Sequence, residues 1–193
     1  FFYFIKIEFK FFIIIISNII MSMLNDNPHF NIHDDFYTRK KTWQQITPFI
    51  PQDKTIYEFC LLNSNEQSKI YWEELGYNVI GNKTIDFLED NLDLENEADI
   101  LISNIPFSNE LKKKILRKLV ELDKPFIIIL NTMNIFSKYF KEIFKDIDIN
   151  FIYPTTKLHY DKYDNGVLQP TKNNTSFYSI YATYKVIDKN VWV

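Results

Sequence analysis

The sequence predicts an α/β domain built on a mainly parallel sheet with a final antiparallel strand. Short apolar runs of strand type alternate with helical stretches through most of the chain. Residues 125–130 (PFIIIL) are apolar throughout, as in a central strand buried on both faces. The last two strand-like runs, 147–153 and 177–186, follow one another with no helical pattern between them. In open sheets of this kind ligands bind at the carboxyl ends of the strands. The residues to examine are therefore those that follow each strand: Glu58, Asn82, Asp86 and Asn104.

The first twenty residues (FFYFIKIEFKFFIIIISNII) are apolar but interrupted by Lys6, Glu8 and Lys10, then by Ser17 and Asn18. They can be read as a signal or membrane anchor, or as a segment outside the folded domain. The second reading is favoured. The apolar block at residues 11–16 is far short of the roughly 20 residues that span a bilayer, and no small-residue cleavage site precedes Met21. Residues 1–22 are thus expected outside the core, and residues 23–193 form one domain with no membrane span.

Residues 24–40 are polar with aromatic punctuation and read as a loop or lid. Thr42 is placed to cap a helix running to about Thr47, ended by Pro48 and Pro51. Residues 55–62 (TIYEFCLL) form a strand and 63–65 a turn. A helix at 66–75 turns Ile70, Trp72 and Leu75 inward. Gly76 follows it where a left-handed residue is wanted. Residues 77–80 and 84–88 are two short strands, and 89–97 an acidic turn. A strand at 99–103 leads to an amphipathic helix at 111–122. Leu111, Ile115, Leu119 and Leu122 form its inner stripe, and Lys112, Lys113, Lys114, Arg117 and Lys118 a solvated face. After the central strand come a helix at 135–144, a strand at 147–153, a long polar segment at 155–176 and the closing strand.

Composition narrows the chemistry. A chain of 193 residues is long enough for one sizeable core. Its glycines are Gly76, Gly81 and Gly166, so no P-loop or GxGxxG can be written. The net charge of −3 gives no global attraction to nucleic acid, so any such contact needs a local basic patch. Cys60 is the only cysteine, which excludes an internal disulfide and suits a reducing, intracellular setting. His29, His33 and His159 have no CxxC or HxxxH partners, so no metal site is expected.

The chemistry-bearing run is Asn104-Ile105-Pro106-Phe107, directly after a strand. The proline fixes the turn. The amide can accept from and donate to an amino group and a ring nitrogen. The aromatic supplies a stacking face worth roughly 1–3 kcal/mol for a nucleobase. The plainer alternative is a strand-to-helix turn with Phe107 in the core. The stretch 159–166 interleaves aromatics with charge, and a loop of its length is either functional or mobile. Tyr160, Lys162 and Tyr163 are its candidate nucleic-acid contacts.

Residues 98–108 (ADILISNIPFS) resemble the strand and Asn/Asp-Pro-Pro-Tyr/Phe signature of N6-adenine methyltransferases, a class I S-adenosylmethionine-dependent family, with the flavour of small phage or giant-virus enzymes. Further elements appear in the family's order. Asp35-Phe36-Tyr37-Thr38 resembles the segment that closes over the cofactor, Glu58 the acid that opens the cofactor loop, and Asp86-Phe87 the pair beside the cofactor's adenine. The resemblance spans residues 33–186 and implies a Rossmann-like class I methyltransferase sheet. It implies catalytic residues Asn104, Pro106 and Phe107. It places Phe36, Tyr37, Thr38, Glu58, Asp86 and Phe87 around S-adenosylmethionine, and a target base that leaves its stack to be methylated.

The chain also departs from the pattern. The family's glycine-rich loop, Glu-Pro-x-x-Gly-x-Gly, is Glu58-Phe59-Cys60-Leu61-Leu62-Asn63-Ser64 here. Both glycines are gone, and Leu and Asn side chains there should obstruct the methionine moiety. Gly81-Asn82-Lys83 offers only an amide where the family has an acid for the ribose hydroxyls, and Ile105 replaces the first proline. Two outcomes are therefore expected. One is methyl transfer to adenine in nucleic acid, DNA rather than RNA, in the cytoplasm or nucleus of a host cell. The other is an inactive fold that binds nucleic acid or an active methyltransferase partner.

Overall fold

The structure, a computed structural model, describes residues 36–61, 66–89, 92–164, 167–170 and 178–193. The apolar segment, its expected boundary near residue 22 and the loop positions Leu62, Asn63 and Ser64 lie outside the described residues.

The chain opens with β1 (Tyr37–Thr38) and α1 (Lys40–Gln44), then β2 (Thr55–Glu58), α2 (Gln67–Glu74) and β3 (Asn78–Ile80). Next come α3 (Leu92–Glu97), β4 (Ile100–Asn104), α4 (Asn109–Leu122) and β5 (Phe126–Asn131). The last part holds α5 (Lys138–Ile143), β6 (Asn150–Tyr153), β7 (Tyr160–Asp164), β8 (Val167–Pro170), β9 (Ser179–Tyr184) and β10 (Val191–Trp192). Seven strands make the main sheet in the order β10-β6-β9-β5-β4-β2-β3. β2, β3, β4 and β5 are parallel, and β9 is antiparallel to both its neighbours, β5 and β6. The fold class is the one the sequence predicts, a Rossmann-like sheet, mostly parallel with an antiparallel strand. The chain winds from β2 out to β3, then returns to lay β4 on the other side of β2. That reversal opens a crevice at the carboxyl ends of β2 and β4.

Side chains of a strand alternate between faces, so the apolar central strands feed two cores. Ile100, Ile102, Ile127 and Ile129 pack on one side with Trp43, Trp72 and Tyr181. Leu101, Phe126, Ile128 and Leu130 pack on the other with Ile115, Leu116, Leu119 and Phe140. Gly76 ends α2 with φ +90°, the left-handed residue expected there.

Several local expectations are corrected. Thr42 is not a helix cap: α1 starts at Lys40 after Arg39, and Thr42 is buried inside it, its carbonyl accepting from the Tyr181 hydroxyl at 2.8 Å. Residues 84–88 form turns rather than a strand, while the acidic stretch that follows contains α3. The helix expected at 135–144 is divided. A 3₁₀ turn at Thr132–Phe136 ends at Ser137, whose side chain then caps α5 by accepting from the Phe140 N–H. Ile70 is exposed. On α4 the buried stripe is Lys112, Ile115, Leu116 and Leu119. Lys112 leaves the expected solvated face because Asn134 accepts from its ammonium at 3.0 Å, which offsets part of the desolvation cost. Leu111 turns outward instead.

The polar segment expected at 155–176 contains β7 and β8, which pair as a hairpin. β1 adds to β7, giving a separate antiparallel sheet in the order β1-β7-β8. Arg39 clamps it, its Nε donating to Asp161 at 2.6 Å. Among the described residues no helix is long and apolar enough to cross a membrane.

Candidate functional site

The crevice between β2 and β4 holds a pocket of about 360 Å³, within the range of small-molecule sites. Its floor is built from strand ends. Glu58 terminates β2 and Asn104 terminates β4, two residues past Ile102, which lies opposite Glu58.

Glu58 is fully buried. Its Oε2 accepts from the Ser68 hydroxyl at 2.5 Å, and its Oε1 accepts from the Ser103 hydroxyl and from the Cys60 N–H at 3.4 Å. Burial outweighs these bonds and pushes the carboxyl up to about 7. Gly81 makes this corner possible. At φ +106° it brings β3's end so close that an added Cβ would lie 2.5 Å from the Glu58 carbonyl oxygen.

One side of the pocket is aromatic. Phe59 and Phe87 are buried with ring centroids 4.3 Å apart, and the Lys118 ammonium sits 5.0 Å from the Phe87 centroid. Asp86 stands beside them, its Oδ1 accepting from the Leu88 N–H at 2.9 Å. Asn82 is not part of the wall. Its Oδ1 accepts from the Thr84 N–H at 2.9 Å and hydroxyl at 2.6 Å, a local turn, and the carboxylate at this strand end is that of Glu66, whose Oε1 accepts from the Lys83 N–H at 2.9 Å.

The other side carries the turn after β4. Ile105 is buried, while Pro106 and the half-buried Phe107 face the pocket. Among the described residues, Asn104 Oδ1 is buried with no hydrogen-bond partner, and so is the hydroxyl of Thr38. Both residues line the pocket. A buried acceptor without a partner costs about 1–3 kcal/mol, and both of these belong to residues of one cavity.

The structure thus brings Phe36, Tyr37, Thr38, Glu58, Asp86, Phe87, Asn104, Pro106 and Phe107 around one cavity. Tyr160 is placed elsewhere: it is 1% exposed and stands behind Phe36 and Phe107, with its hydroxyl donating to Ser179 Oγ at 2.8 Å. Direct contact between Tyr160 and a nucleic acid, as the sequence suggested, is therefore blocked. Lys162 sits 5.5 Å over the Phe36 ring, and Tyr163 lies on β7. Leu61 lines the pocket without filling it. Ser68 and Ser103, to which the sequence assigned no role, also line the cavity, as does Leu111, expected on the inner stripe of its helix. Ser103 precedes Asn104 and was open to inspection. Ser68 carries no signal, because its partner Glu58 is ten residues away.

Fold and pocket define a Rossmann-like α/β protein with a ligand crevice at its topological switch point. No family model matches the sequence, and no curated protein matches it. Among solved structures, an S-adenosylmethionine-dependent O-methyltransferase from Thermotoga maritima is similar, with 14% identity and a TM-score of 0.39. The similarity covers 75% of this chain and 64% of that one, so this chain spans under two thirds of that protein's length.

Proposed function

We propose that the protein binds S-adenosylmethionine in the β2–β4 crevice and presents it to adenine in DNA, as an N6-adenine methyltransferase. The observation that carries this reading is Asn104 Oδ1, a buried acceptor without a partner at the mouth of the turn that also carries Pro106 and Phe107. An exocyclic amine bonded to that oxygen satisfies it, and the Phe107 ring offers the base a face to lie against. Accepting one N–H of the amine raises electron density on its nitrogen and fixes its orientation.

The pocket's residues fit the cofactor in part. Glu58 offers a carboxylate for the α-ammonium, the Thr38 hydroxyl is buried and unpaired, and Asp86 with Phe87 suits an adenine edge and face. When bound, that cofactor supplies an electrophilic methyl group on a sulfonium. The half-buried aromatics Phe36 and Phe107 help to keep water from the reacting pair.

A second reading, an inactive fold that binds nucleic acid or a methyltransferase partner, is favoured by Asn82. The strand end that would hold the ribose hydroxyls offers a side chain already committed to a turn. Titration calorimetry with S-adenosylmethionine and S-adenosylhomocysteine separates the two. No heat at millimolar cofactor removes the enzyme reading. Methyl transfer to adenine-containing DNA that disappears in Asn104→Ala removes the inactive one.

A further inference from the structure

The pocket has two sides that come from distant parts of the chain. Phe36 precedes β1 on the small sheet, and Phe107 follows β4 on the large one. They meet as rings with centroids 5.7 Å apart and planes at 87°. Tyr160 completes a triangle, edge-on to Phe36 at 6.3 Å and to Phe107 at 6.5 Å. Edge-to-face pairs at such distances contribute beyond their buried area. Tyr160 is also the β7 residue opposite Thr38 of β1, so its backbone holds one pocket wall while its ring supports the other. Its hydroxyl is tied to Ser179 at the start of β9. Burial pushes the phenol above its ordinary range, so it remains a neutral donor across any working pH.

Resting on the proposed function, we infer that Tyr160 is a positioning residue that couples the cofactor-closing segment Phe36–Thr38 to the target turn Asn104–Phe107. Through Tyr160, a ligand that orders one segment reduces the cost of ordering the other. Ser179 belongs to neither segment and does not line the pocket, yet it holds the ring on which both depend.

The test uses the full chain as wild type, Tyr160→Phe, Tyr160→Leu and Ser179→Ala. The first measurement is hydrogen exchange without ligand. Tyr160→Leu is expected to speed exchange about tenfold in peptides covering both 36–39 and 104–108, leaving β5 protected. Ser179→Ala is expected to produce a smaller acceleration in the same two segments, and it decides the matter if Tyr160→Leu does not fold. Tyr160→Phe keeps the ring but loses the same bond, so it is expected to match the small acceleration of Ser179→Ala and to stay well below Tyr160→Leu. Acceleration in only one of the two segments overturns the coupling.

The second measurement is the affinity for 2′-deoxyadenosine with and without saturating S-adenosylhomocysteine. Wild type and Tyr160→Phe are expected to bind about fivefold or more tightly with the cofactor product present, within the usual range of couplings. Tyr160→Leu is expected to show a ratio near one, and a ratio unchanged from wild type overturns the inference. If wild type does not bind S-adenosylhomocysteine, the proposed cofactor is wrong. The exchange result then still decides whether Tyr160 joins the two segments.

Discussion

Glu58→Gln isolates the energetic cost of burying an acid in the pocket. The carboxyl rises from its ordinary 4.5 to about 7 because burial removes water from the charged form. In the unfolded chain it loses its proton near 4.5. Below that pH both states are protonated, and Glu58 imposes no ionisation cost. As pH rises towards 7 the unfolded chain releases the proton while the folded protein keeps it, so stability falls. Above 7 both are ionised and the loss is complete. At about 1.4 kcal/mol per pH unit, the loss amounts to at most about 3 kcal/mol. Glutamine keeps an oxygen for Ser103 and the Cys60 N–H, and its amide donates to the Ser68 hydroxyl, which can rotate to accept. The variant should match wild type near pH 4.5 and exceed it by up to about 3 kcal/mol at pH 8. At roughly 2–4 °C per kcal/mol for a domain of this size, the gain is about 6–12 °C in Tm. Urea titrations from pH 4.5 to 8.5, followed by fluorescence of the buried Trp43 and Trp72, measure the difference directly. Carboxyls such as Asp99, whose pKa is lowered by the Thr55 N–H and Lys54, titrate in both proteins and cancel. A difference constant within about 0.5 kcal/mol across that range would refute the reasoning, since it requires Glu58 to ionise equally in both states.

The same carboxyl makes cofactor affinity depend on pH. If Glu58 pairs with an α-ammonium, S-adenosylhomocysteine should bind more tightly at pH 8 than at pH 6, and calorimetry on Glu58→Gln should show that gain abolished. Gly81→Ala should cost about 3 kcal/mol, because φ +106° strains an L-residue and the new Cβ meets backbone at 2.5 Å. A loss below about 1 kcal/mol in urea titration would mean that β3 can shift away from β2. Leu116→Ala, at a fully buried position between α4 and the sheet, should cost about 3 kcal/mol by the same assay, with little change in ligand binding.

The parts legible in the sequence are those where local pattern and tertiary demand agree. The run 125–130 is apolar throughout because β5 lies between β4 and β9 with a core on each face. Gly76 marks the end of α2 because its conformation suits glycine alone. The misread elements answer to partners far away in sequence. Thr42 has the chemistry of a cap, but its carbonyl is claimed by Tyr181. Lys112 reads as solvated until Asn134, on another element, accepts from it. Residues 160–170 read as loop because β7 has few apolar positions of its own. Its strand character comes from pairing with β8 and with β1. The same limit applies within the site. Glu58, Asp86 and Asn104 follow from their places near strand ends. The burial of Tyr160 does not, since nothing local indicates that two rings from elsewhere will cover it.

Where the two sides of the pocket differ, the difference is one of partners. On the side proposed for the target base, Asn104 Oδ1 is buried and unpaired among the described residues, a costly state. On the side proposed for the cofactor, polar groups are largely satisfied within the chain. Ser68 and Ser103 are bonded to Glu58, Asn82 to Thr84, and Asp86 to the Leu88 N–H. A ligand entering that side must exchange existing bonds for new ones and gains little per contact, whereas a base amine at Asn104 gains a bond that nothing else makes. The Thr38 hydroxyl is the exception, unpaired among the described residues yet on β1 rather than in the strand-end floor. Under the proposed function, much of the cofactor's net binding energy would then come from Phe36 and β1. For this reason the packing of Phe36 against Phe107 and Tyr160 bears on affinity as much as the strand-end acids do.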